Sequence, residues 1–469
     1  MRARGCGVGV IVGVGESCGA GFVPEGMPRF SPARLKGSVQ EVNTNTRMLM
    51  EVRARFIIIL LYRRFHRAST SGYRIVYDFL TRFGSIEFQS RSEILHSPLF
   101  HVKLSGKGRS RPRAFFSELR TIEWLPESRE VRLIDQRRLP AALEYLTIQT
   151  PEQMVEAIRT MAIRGAPALG VAGAFGLALQ AARYNRAGGK DLRSLVHAAA
   201  VMLVNSRPTA VNLAWGVEQI TSLLDEQTHS ESELVERIIS NAQALAEADV
   251  RTNLRLAENG ASLIDDGDTI IHHCNTGALA VVDWGTALGA IRFAHEQGKR
   301  VHVLVDETRP RLQGSRLTAW ECEQYGIPYE IITDNAAGFF LQSGRVHKVF
   351  FGADRVAANG DVVNKVGTYM LSLAAHANQV PVVCVFPLST LDLSIAEGRY
   401  IPIEERDAAE VLNLRVDGQA IAPATARALN PAFDLTPHAL ISAWVTEAGV
   451  VRAPFAQNLA QSRYNQKMD

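Results

Sequence analysis

The sequence predicts an α/β protein in which a small mixed α+β and helical domain precedes a doubly wound parallel sheet. Short apolar runs alternate with helical segments in residues 263–469, as in parallel sheets built from strand–helix units. Helical periodicity dominates residues 120–262 after a few alternating strands. Residues 1–119 follow neither pattern, so we expect them to form an extension outside both domains.

The charge distribution sets this extension apart. The chain has 469 residues and a net charge of +3, but residues 1–119 contain 19 Lys and Arg against 8 Asp and Glu. The extension is therefore strongly basic, and the rest of the chain is acidic. Charge alone fits an arm that binds nucleic acid or a membrane, but an Arg-rich segment without apolar period is more typical of a poorly ordered leader. We therefore expect neither a nucleic-acid nor a membrane partner.

Residues 120–262 are predicted to form the small domain. The stretch RTIEWLPESREVRLI alternates apolar and polar residues, as half-buried strands do. A helix should begin at Pro151 with Thr150 as its cap, and further helices are predicted at 192–203 and 232–264. The uncharged run at 165–182 reaches membrane-spanning length, but its Ala and Gly content favours a buried helix of a soluble protein.

Residues 263–469 are predicted to form a Rossmann-like domain. Five apolar, β-branched runs each end in Cys, Asp or Pro, namely DTIIHHC, RVHVLVDE, PYEIITD, KVFFGAD and PVVCVFP. Because ligands bind outside the carboxyl ends of such strands, we expect Cys274, Asp306, Asp334 and Asp354 at one rim. No glycine-rich nucleotide-binding motif follows any of these strands, so a nucleotide cofactor is not indicated.

The cysteines and histidines give little indication of a metal site. The five cysteines show no paired spacing, which is typical of a protein of the reducing cytoplasm and argues against disulfides or zinc. His272 and His273 are adjacent in a predicted strand and face opposite ways, so they cannot ligate one metal ion together. We expect one of them in the core and the other near the site.

Two arginines are candidates for binding phosphate. Arg164 precedes Gly165, Ala166 and a proline at a predicted helix start, where free N–H groups and a guanidinium suit an anion. The same small residues would also permit close helix packing, and the motif alone leaves both interpretations open. Arg207 likewise stands before a proline and a helix.

Cys274 and Asp354 are candidates for the chemistry. Cys274 is either an inert buried thiol or a reactive thiolate at the start of a helix predicted near Asn275. Asp354 follows an apolar strand, where burial would raise its pKa and suit a general acid; an ion pair with Arg355 is the alternative. Polar side chains expected near the same crevice are Gln313, Asn364 and Lys365.

The ordered motifs resemble those of the methylthioribose-1-phosphate isomerase family, the aldose–ketose isomerases of methionine salvage. The resemblance spans residues 120 to about 465 and includes RGAPALG, RPTAVNL, HCNTGALA, DETRPRLQGSRLTAW and GADRVAANGDVVNKVGTY. It implies that Cys274 and Asp354 are the catalytic pair, with Asp354 as proton donor. It also implies a homodimer that acts on a sugar phosphate without metal or organic cofactor. The implied substrate contacts are Arg164, Gly165, Ala166, Arg207, Gln313, Asn364 and Lys365.

The implied reaction explains these residue types. A phosphate on C1 blocks ring opening through a free anomeric hydroxyl, so a proton must reach the ring oxygen, and a neutral Asp354 can supply it. Hydrogen then moves from C2 to C1, either through an enediolate with Cys274 as base or by a hydride shift with Cys274 stabilising charge. The sequence leaves both routes open.

Two other functions fit the same superfamily. A ribose-1,5-bisphosphate isomerase would use the same pair but must hold a second phosphate. A regulatory subunit of a translation initiation exchange factor would need neither a thiol nor a proton donor at these positions.

Overall fold

The computed structural model describes residues 120–187, 191–225 and 230–459. The predicted extension, residues 1–119, lies outside the described residues. The helices, in chain order, are α1 (Pro151–Arg159), α2 (Ala166–Ala187), α3 (Leu192–Val204), α4 (Val211–Thr221), α5 (Glu231–Ala261), α6 (Ala287–Glu296), α7 (Ala319–Tyr325), α8 (Ala337–Gln342), α9 (Thr368–Ala377) and α10 (Ala409–Leu412).

The strands of the described residues form four sheets. The main-sheet strands are β4 (Thr269–His272), β5 (His302–Asp306), β6 (Tyr329–Ile332), β7 (Lys348–Phe351), β10 (Val382–Val385), β15 (Ala443–Thr446) and β16 (Gly449–Val451). The remaining strands are β1 (Ile122–Leu125), β2 (Glu130–Ile134), β3 (Tyr145–Ile148), β8 (Arg355–Ala357), β9 (Val362–Lys365), β11 (Leu391–Asp392), β12 (Arg415–Val416), β13 (Gln419–Ala420) and β14 (Phe433–Thr436).

The main sheet has the order β16-β15-β10-β7-β4-β5-β6, with β16 antiparallel at one edge and all other neighbours parallel. All five predicted strands are present, and β15 is a sixth parallel strand that the sequence did not reveal. The chain begins the sheet at β4, extends it through β5 and β6, and then returns to the other side of β4 with β7. This reversal of direction opens a crevice between the carboxyl ends of β4 and β7.

Both faces of the main sheet are buried, as a doubly wound sheet requires. Successive strand residues contribute to different hydrophobic cores, since Ile270 and Val383 pack in one core and Ile271 and Cys384 in another. Helices α5 and α6 contribute to the first core, and α8 and α9 to the second. Because side chains alternate between the two faces, uniformly apolar strands are the expected sequence for such a sheet.

The uncharged run at 165–182 forms most of helix α2 and is the centre of the core of the first region. Helices α4 and α5 pack against it, and a Cβ added to Gly216 of α4 would lie 2.0 Å from the carbonyl oxygen of Gly170. The two helices therefore approach so closely that only glycine fits at this crossing. The prediction of a buried helix is confirmed. No helix in the described part of the chain combines the length and the apolar character needed to cross a membrane.

Helix α5 joins the two predicted regions, because it packs against α2 on one side and against α6 and β15 on the other. The boundary between 262 and 263 stays a prediction. An additional sheet, in the order β11-β8-β9-β14, continues the chain from the end of β7 and places residues 364 and 365 beside the crevice.

Candidate active site

One pocket lies at the carboxyl ends of β4 and β7. All nine predicted site residues line it: Arg164, Gly165, Ala166, Arg207, Cys274, Gln313, Asp354, Asn364 and Lys365. They come from both regions of the chain and from two sheets, so only the folded protein brings them together. Their individual roles stay predictions.

Cys274 follows β4 directly and has a left-handed backbone, with φ +67°. This conformation is unusual for a residue with a side chain. Two threonines support it, because the Thr308 hydroxyl accepts from the Cys274 N–H at 2.9 Å and the Thr318 hydroxyl donates to the Cys274 carbonyl at 2.7 Å.

The predicted helix at Asn275 is wrong, since the chain makes a short 3-10 turn at Ala278–Ala280 and α6 begins only at Ala287. The expected lowering of the thiol pKa is therefore not found. Burial raises the pKa of Cys274 above its ordinary value, although the nearby charges of Arg164 and Lys365 act in the opposite direction.

Asp354 follows β7, and its backbone N–H donates to the carbonyl of Val363 at 2.9 Å. Asp354 forms no ion pair with Arg355 among the described residues. The guanidinium of Arg355 lies 3.7 Å from the carboxylate of Asp392 instead. Burial raises the pKa of Asp354 against the opposing effect of the cations Lys365, Arg207 and Arg164. A carboxyl group with this tendency to stay protonated suits a proton donor.

Arg164, Gly165 and Ala166 stand at the start of α2, which begins at Ala166, within the stretch where a helix start was predicted. Gly165 has φ +97°, and a Cβ there would lie 2.2 Å from the carbonyl oxygen of Ala280, so close approach to the pocket wall requires glycine. The Arg164 guanidinium donates to the carbonyl oxygens of the Asn275 backbone and side chain. The Asn275 amide in turn donates to Thr318 and to Glu321, which fixes its orientation.

The other predicted contacts surround the same space. The Lys365 ammonium donates to the carbonyl of Ala432 at 2.7 Å and lies 4.6 Å from the ring centre of Phe433. Burial lowers its pKa, and the charges of Cys274 and Asp354 partly restore it. The Asn364 amide donates to the Thr368 hydroxyl at 3.0 Å.

Arg207 and Gln313 complete the predicted set. The Arg207 guanidinium lies 3.7 Å from the carboxylate of Glu404. The side-chain oxygen of Gln313 is buried without a hydrogen-bond partner among the described residues. An uncompensated buried carbonyl is costly, so a ligand that donates a hydrogen bond would stabilise this position.

Asp306 and Asp334 do not line the pocket, so the expectation of four side chains on one rim is wrong for these two. The Asp306 carboxylate contacts the ring of His273, and the Asp334 carboxylate accepts from the backbone N–H groups of Thr308 and Arg309. Each of these carboxylates therefore contacts neighbouring residues outside the pocket lining. His273, Asp306 and Asp334 lie close together, as metal ligands do, but their hydrogen bonds already occupy Nδ1 of His273 and both oxygens of Asp334.

The two histidines are both buried. His272 contacts the hydroxyl of Thr276 at 2.8 Å, and burial lowers its pKa to about 3, so it is neutral in the core. His273 lies next to the site, behind Cys274.

Sequence reasoning missed Arg311 and Arg406, which also line the pocket. Arg406 pairs with Glu404 and Glu410, and Arg311 pairs with Glu410. Arg311 stands inside the motif DETRPRLQG and could have been found there, whereas the irregular segment around Arg406 carries no periodic signal.

The chain matches proteins of known function over most of its length. The model of the initiation factor 2 subunit family matches residues 162–453. The methylthioribose-1-phosphate isomerase of Thermotoga neapolitana is 48% identical over 340 residues, 72% of this chain and 97% of that protein. The enzyme of that name from Synechococcus sp. is 46% identical over 336 residues, 72% of this chain and 96% of that protein. The chain belongs to the methylthioribose-1-phosphate isomerase family.

Solved structures agree with this assignment. The 5-methylthioribose 1-phosphate isomerase from Pyrococcus horikoshii has a TM-score of 0.69 and 40% identity, covering 74% of this chain and 97% of that one. The translation initiation factor eIF-2B, subunit delta, from A. fulgidus has a TM-score of 0.65 and 40% identity, covering 73% and 99%. Membership of this isomerase family and of the wider initiation factor 2 subunit family therefore confirms the resemblance predicted from the motifs.

Proposed function

We propose that the protein converts 5-methylthio-α-D-ribose 1-phosphate into 5-methylthio-D-ribulose 1-phosphate, an aldose–ketose isomerisation of methionine salvage. One observation carries this proposal: a thiol and a carboxyl group with raised pKa values share a pocket with five cationic side chains. The names of the family members in Thermotoga neapolitana and Synechococcus sp. support the choice of substrate.

The cations and the start of α2 are suited to the substrate phosphate. Arg164, Arg207 and Lys365 line the pocket, and so do Gly165 and Ala166 at the start of α2. Helix N-termini and guanidinium groups are favoured partners of phosphate. Bound phosphate would relieve the mutual repulsion of these buried cations.

Asp354 is the proton donor in this proposal. A neutral carboxyl group delivers its proton to the ring oxygen, and the bond between C1 and that oxygen breaks with its electron pair going to the oxygen. C1 is left as an open-chain oxocarbenium ion that still carries the phosphate. Burial favours the neutral carboxyl group before reaction. The three nearby cations stabilise the carboxylate that forms after the proton has left.

Cys274 acts in the hydrogen transfer from C2 to C1. In the enediolate route the Cys274 thiolate removes the C2 proton, and the thiol that results returns a proton to C1. Burial disfavours that thiolate, and the charges of Arg164 and Lys365 favour it. In the hydride route the hydrogen moves with its electron pair, and the thiol stabilises the developing charge. Substrate carrying deuterium at C2 separates the routes, because retention at C1 indicates a hydride shift and exchange with solvent indicates an enediolate.

The pocket favours a methylthio group over a second phosphate. Arg311 and Arg406, the additional cations in its lining, are already paired with Glu410 and Glu404. The lining also includes apolar side chains, namely Met161, Pro167, Val281, Pro387 and Phe433. A second phosphate would have to compete with glutamates, whereas a methylthio group would meet apolar and sulfur atoms.

The decisive experiment follows methylthioribose 1-phosphate by phosphorus and carbon NMR with the purified full-length protein and no added metal. We expect a ketose phosphate to accumulate, and ribose 1,5-bisphosphate to react much more slowly in a parallel sample. Conversion of the bisphosphate alone would assign the alternative isomerase activity. Binding of both compounds without conversion of either would assign the regulatory function instead.

We further propose that the protein forms a homodimer through α8 and α9. These helices contact each other and expose large apolar side chains: Phe339, Tyr369, Met370 and Leu373. Exposed apolar surface of this kind marks interaction sites. Light scattering should give twice the chain mass, and Met370→Glu should shift the protein towards monomer, whereas Val201→Glu on α3, an equally exposed apolar residue, should not.

A further inference from the structure

His273 and Asp306 form a buried pair directly behind the pocket, without lining it. Both side chains are 1% exposed. Nδ1 of the ring lies 2.8 Å from a carboxylate oxygen of Asp306, and Nε2 lies 3.1 Å from the carbonyl oxygen of Val366. A carbonyl oxygen can only accept, so Nε2 carries a hydrogen and donates it to Val366.

This ring connects two parts of the site that no strand pairing joins. His273 directly precedes Cys274 at the end of β4 in the main sheet, and Val366 directly follows Lys365 at the end of β9 in the four-stranded sheet. The imidazole therefore lies between the backbone that carries the thiol and the backbone that carries the ammonium.

The surrounding backbone is shaped around the ring. Gly367 has φ +105°, and a Cβ there would lie 2.9 Å from Cε1 of His273. The Gly367 N–H donates to the Asp434 carboxylate at 2.7 Å, which holds this turn in place. On the other side, Cys274 has its left-handed conformation only one residue after the ring.

The charges around the ring favour an imidazole that is protonated on both nitrogens. Burial opposes the charged imidazole, but the hydrogen bond to Asp306 and the negative charges of Asp306 and Asp334 outweigh burial and raise the pKa of His273. With both nitrogens protonated, the ring donates to the Asp306 carboxylate and to the Val366 carbonyl at once. Asp306 thereby fixes the plane of the ring, and the ring fixes Val366.

We propose that His273, oriented by Asp306, is a positioning residue that sets the distance between the Cys274 thiol and the Lys365 ammonium. The proposal rests on the proposed function in one respect: it assumes that the thiol of Cys274 and the ammonium of Lys365 act in the same reaction. It predicts that loss of the Val366 hydrogen bond lowers turnover more than it weakens substrate binding, because Lys365 is the one of the three proposed phosphate-binding cations that this bond positions, whereas Arg164 and Arg207 do not depend on it.

Two substitutions at His273 separate positioning from packing. His273→Gln places its amide near the position of Nε2 and keeps a donor towards Val366. His273→Asn places its amide near Nδ1 and keeps a donor towards Asp306 only. A displacement of about 1 Å in a catalytic constellation costs on the order of 100-fold in rate. We expect His273→Asn to lose about 100-fold in kcat with a KM that rises by a much smaller factor, and His273→Gln to retain at least about a tenth of kcat.

A second measurement is independent of the substrate. Iodoacetamide alkylation of Cys274, followed by peptide mass spectrometry, reports how well the thiol is held in its buried position. We expect faster alkylation in His273→Asn than in wild type, with His273→Gln close to wild type. If wild type fails to isomerise methylthioribose 1-phosphate but this order of alkylation rates holds, the proposed function fails and the positioning role stands.

Equal kcat and equal alkylation rates for the two variants would overturn the proposal, since His273 would then only fill space. If neither variant folds, Asp306→Asn and Asp306→Ala test the same positioning role of His273. The asparagine can donate to Nδ1 of a neutral ring, which still donates to Val366, whereas the alanine leaves Nδ1 without a partner. The proposal requires faster alkylation and lower kcat in Asp306→Ala than in Asp306→Asn, and equal values would refute it.

Discussion

Asp249 should make the stability of the protein strongly pH-dependent. This residue of α5 accepts the backbone N–H of Val282 at 2.7 Å, next to the pocket-lining residues Ala280 and Val281. Burial raises the pKa of Asp249 from 3.8 to about 7, despite the hydrogen bonds from Val282 and Asn253 that lower it. The folded protein therefore holds this proton more tightly than the unfolded chain does.

The sign and size of the effect follow from that difference. Below pH 4 the carboxyl group is protonated in both states, and its contribution to stability is fully present. Between about pH 4 and pH 7 the unfolded chain loses the proton first, so the free energy of unfolding falls as the pH rises. A rise from 3.8 to about 7 corresponds to at most about 4 kcal/mol over this window, at about 1.4 kcal/mol for each pH unit.

Asp249→Asn keeps an oxygen that can accept from Val282 but cannot ionise. Urea unfolding monitored by circular dichroism at pH 5, 6, 7 and 8 should show the variant gaining stability relative to wild type as the pH rises, with no further gain above about pH 7. Asp417→Asn, at an exposed turn position, is the matched control and should follow wild type at every pH. A difference between Asp249→Asn and wild type that stays constant from pH 5 to pH 8 would refute the reasoning.

Three further predictions concern the site and the extension. A chain shortened to begin at Arg120 should fold and isomerise at the full rate, because the resemblance of the sequence motifs to the family begins there; precipitation or a large drop in kcat would show that residues 1–119 are required. Arg164→Ala should raise KM about 10- to 160-fold, since a charge-assisted phosphate contact contributes roughly 1.5 to 3 kcal/mol, and an unchanged KM would exclude Arg164 from the phosphate site. Asp354→Asn and Cys274→Ser should each lose at least roughly 100-fold in kcat with little change in Tm, and the double variant should lose far less than the product of the two, as groups of one mechanism do. Normal turnover of Cys274→Ser together with unfolding of Asp354→Asn would assign both residues to the core.

The sequence by itself determined the strands and helices that follow from local pattern. The uniformly apolar runs ending at Cys274 and Asp354 indicated strands buried on both faces, and the cap at Thr150 marked a helix start that the structure shows. Both are properties of neighbouring residues, which periodicity and capping record directly. The candidate site residues came from motifs, several of them through the family resemblance, and all nine line one pocket. Cys274 and Asp354 meet there because strand ends on either side of the chain reversal lie side by side.

Only the tertiary structure decided the surroundings of each group. The sequence placed Asp306 at the rim and a helix after Cys274. In the structure Asp306 contacts the ring of His273 and does not line the pocket, and the chain after Cys274 makes a turn instead of a helix. The pKa of Cys274 is raised because burial depends on everything packed around the thiol, including elements far away in sequence. The same holds for Arg406, which reaches the pocket from an irregular segment held by ion pairs that no local pattern encodes.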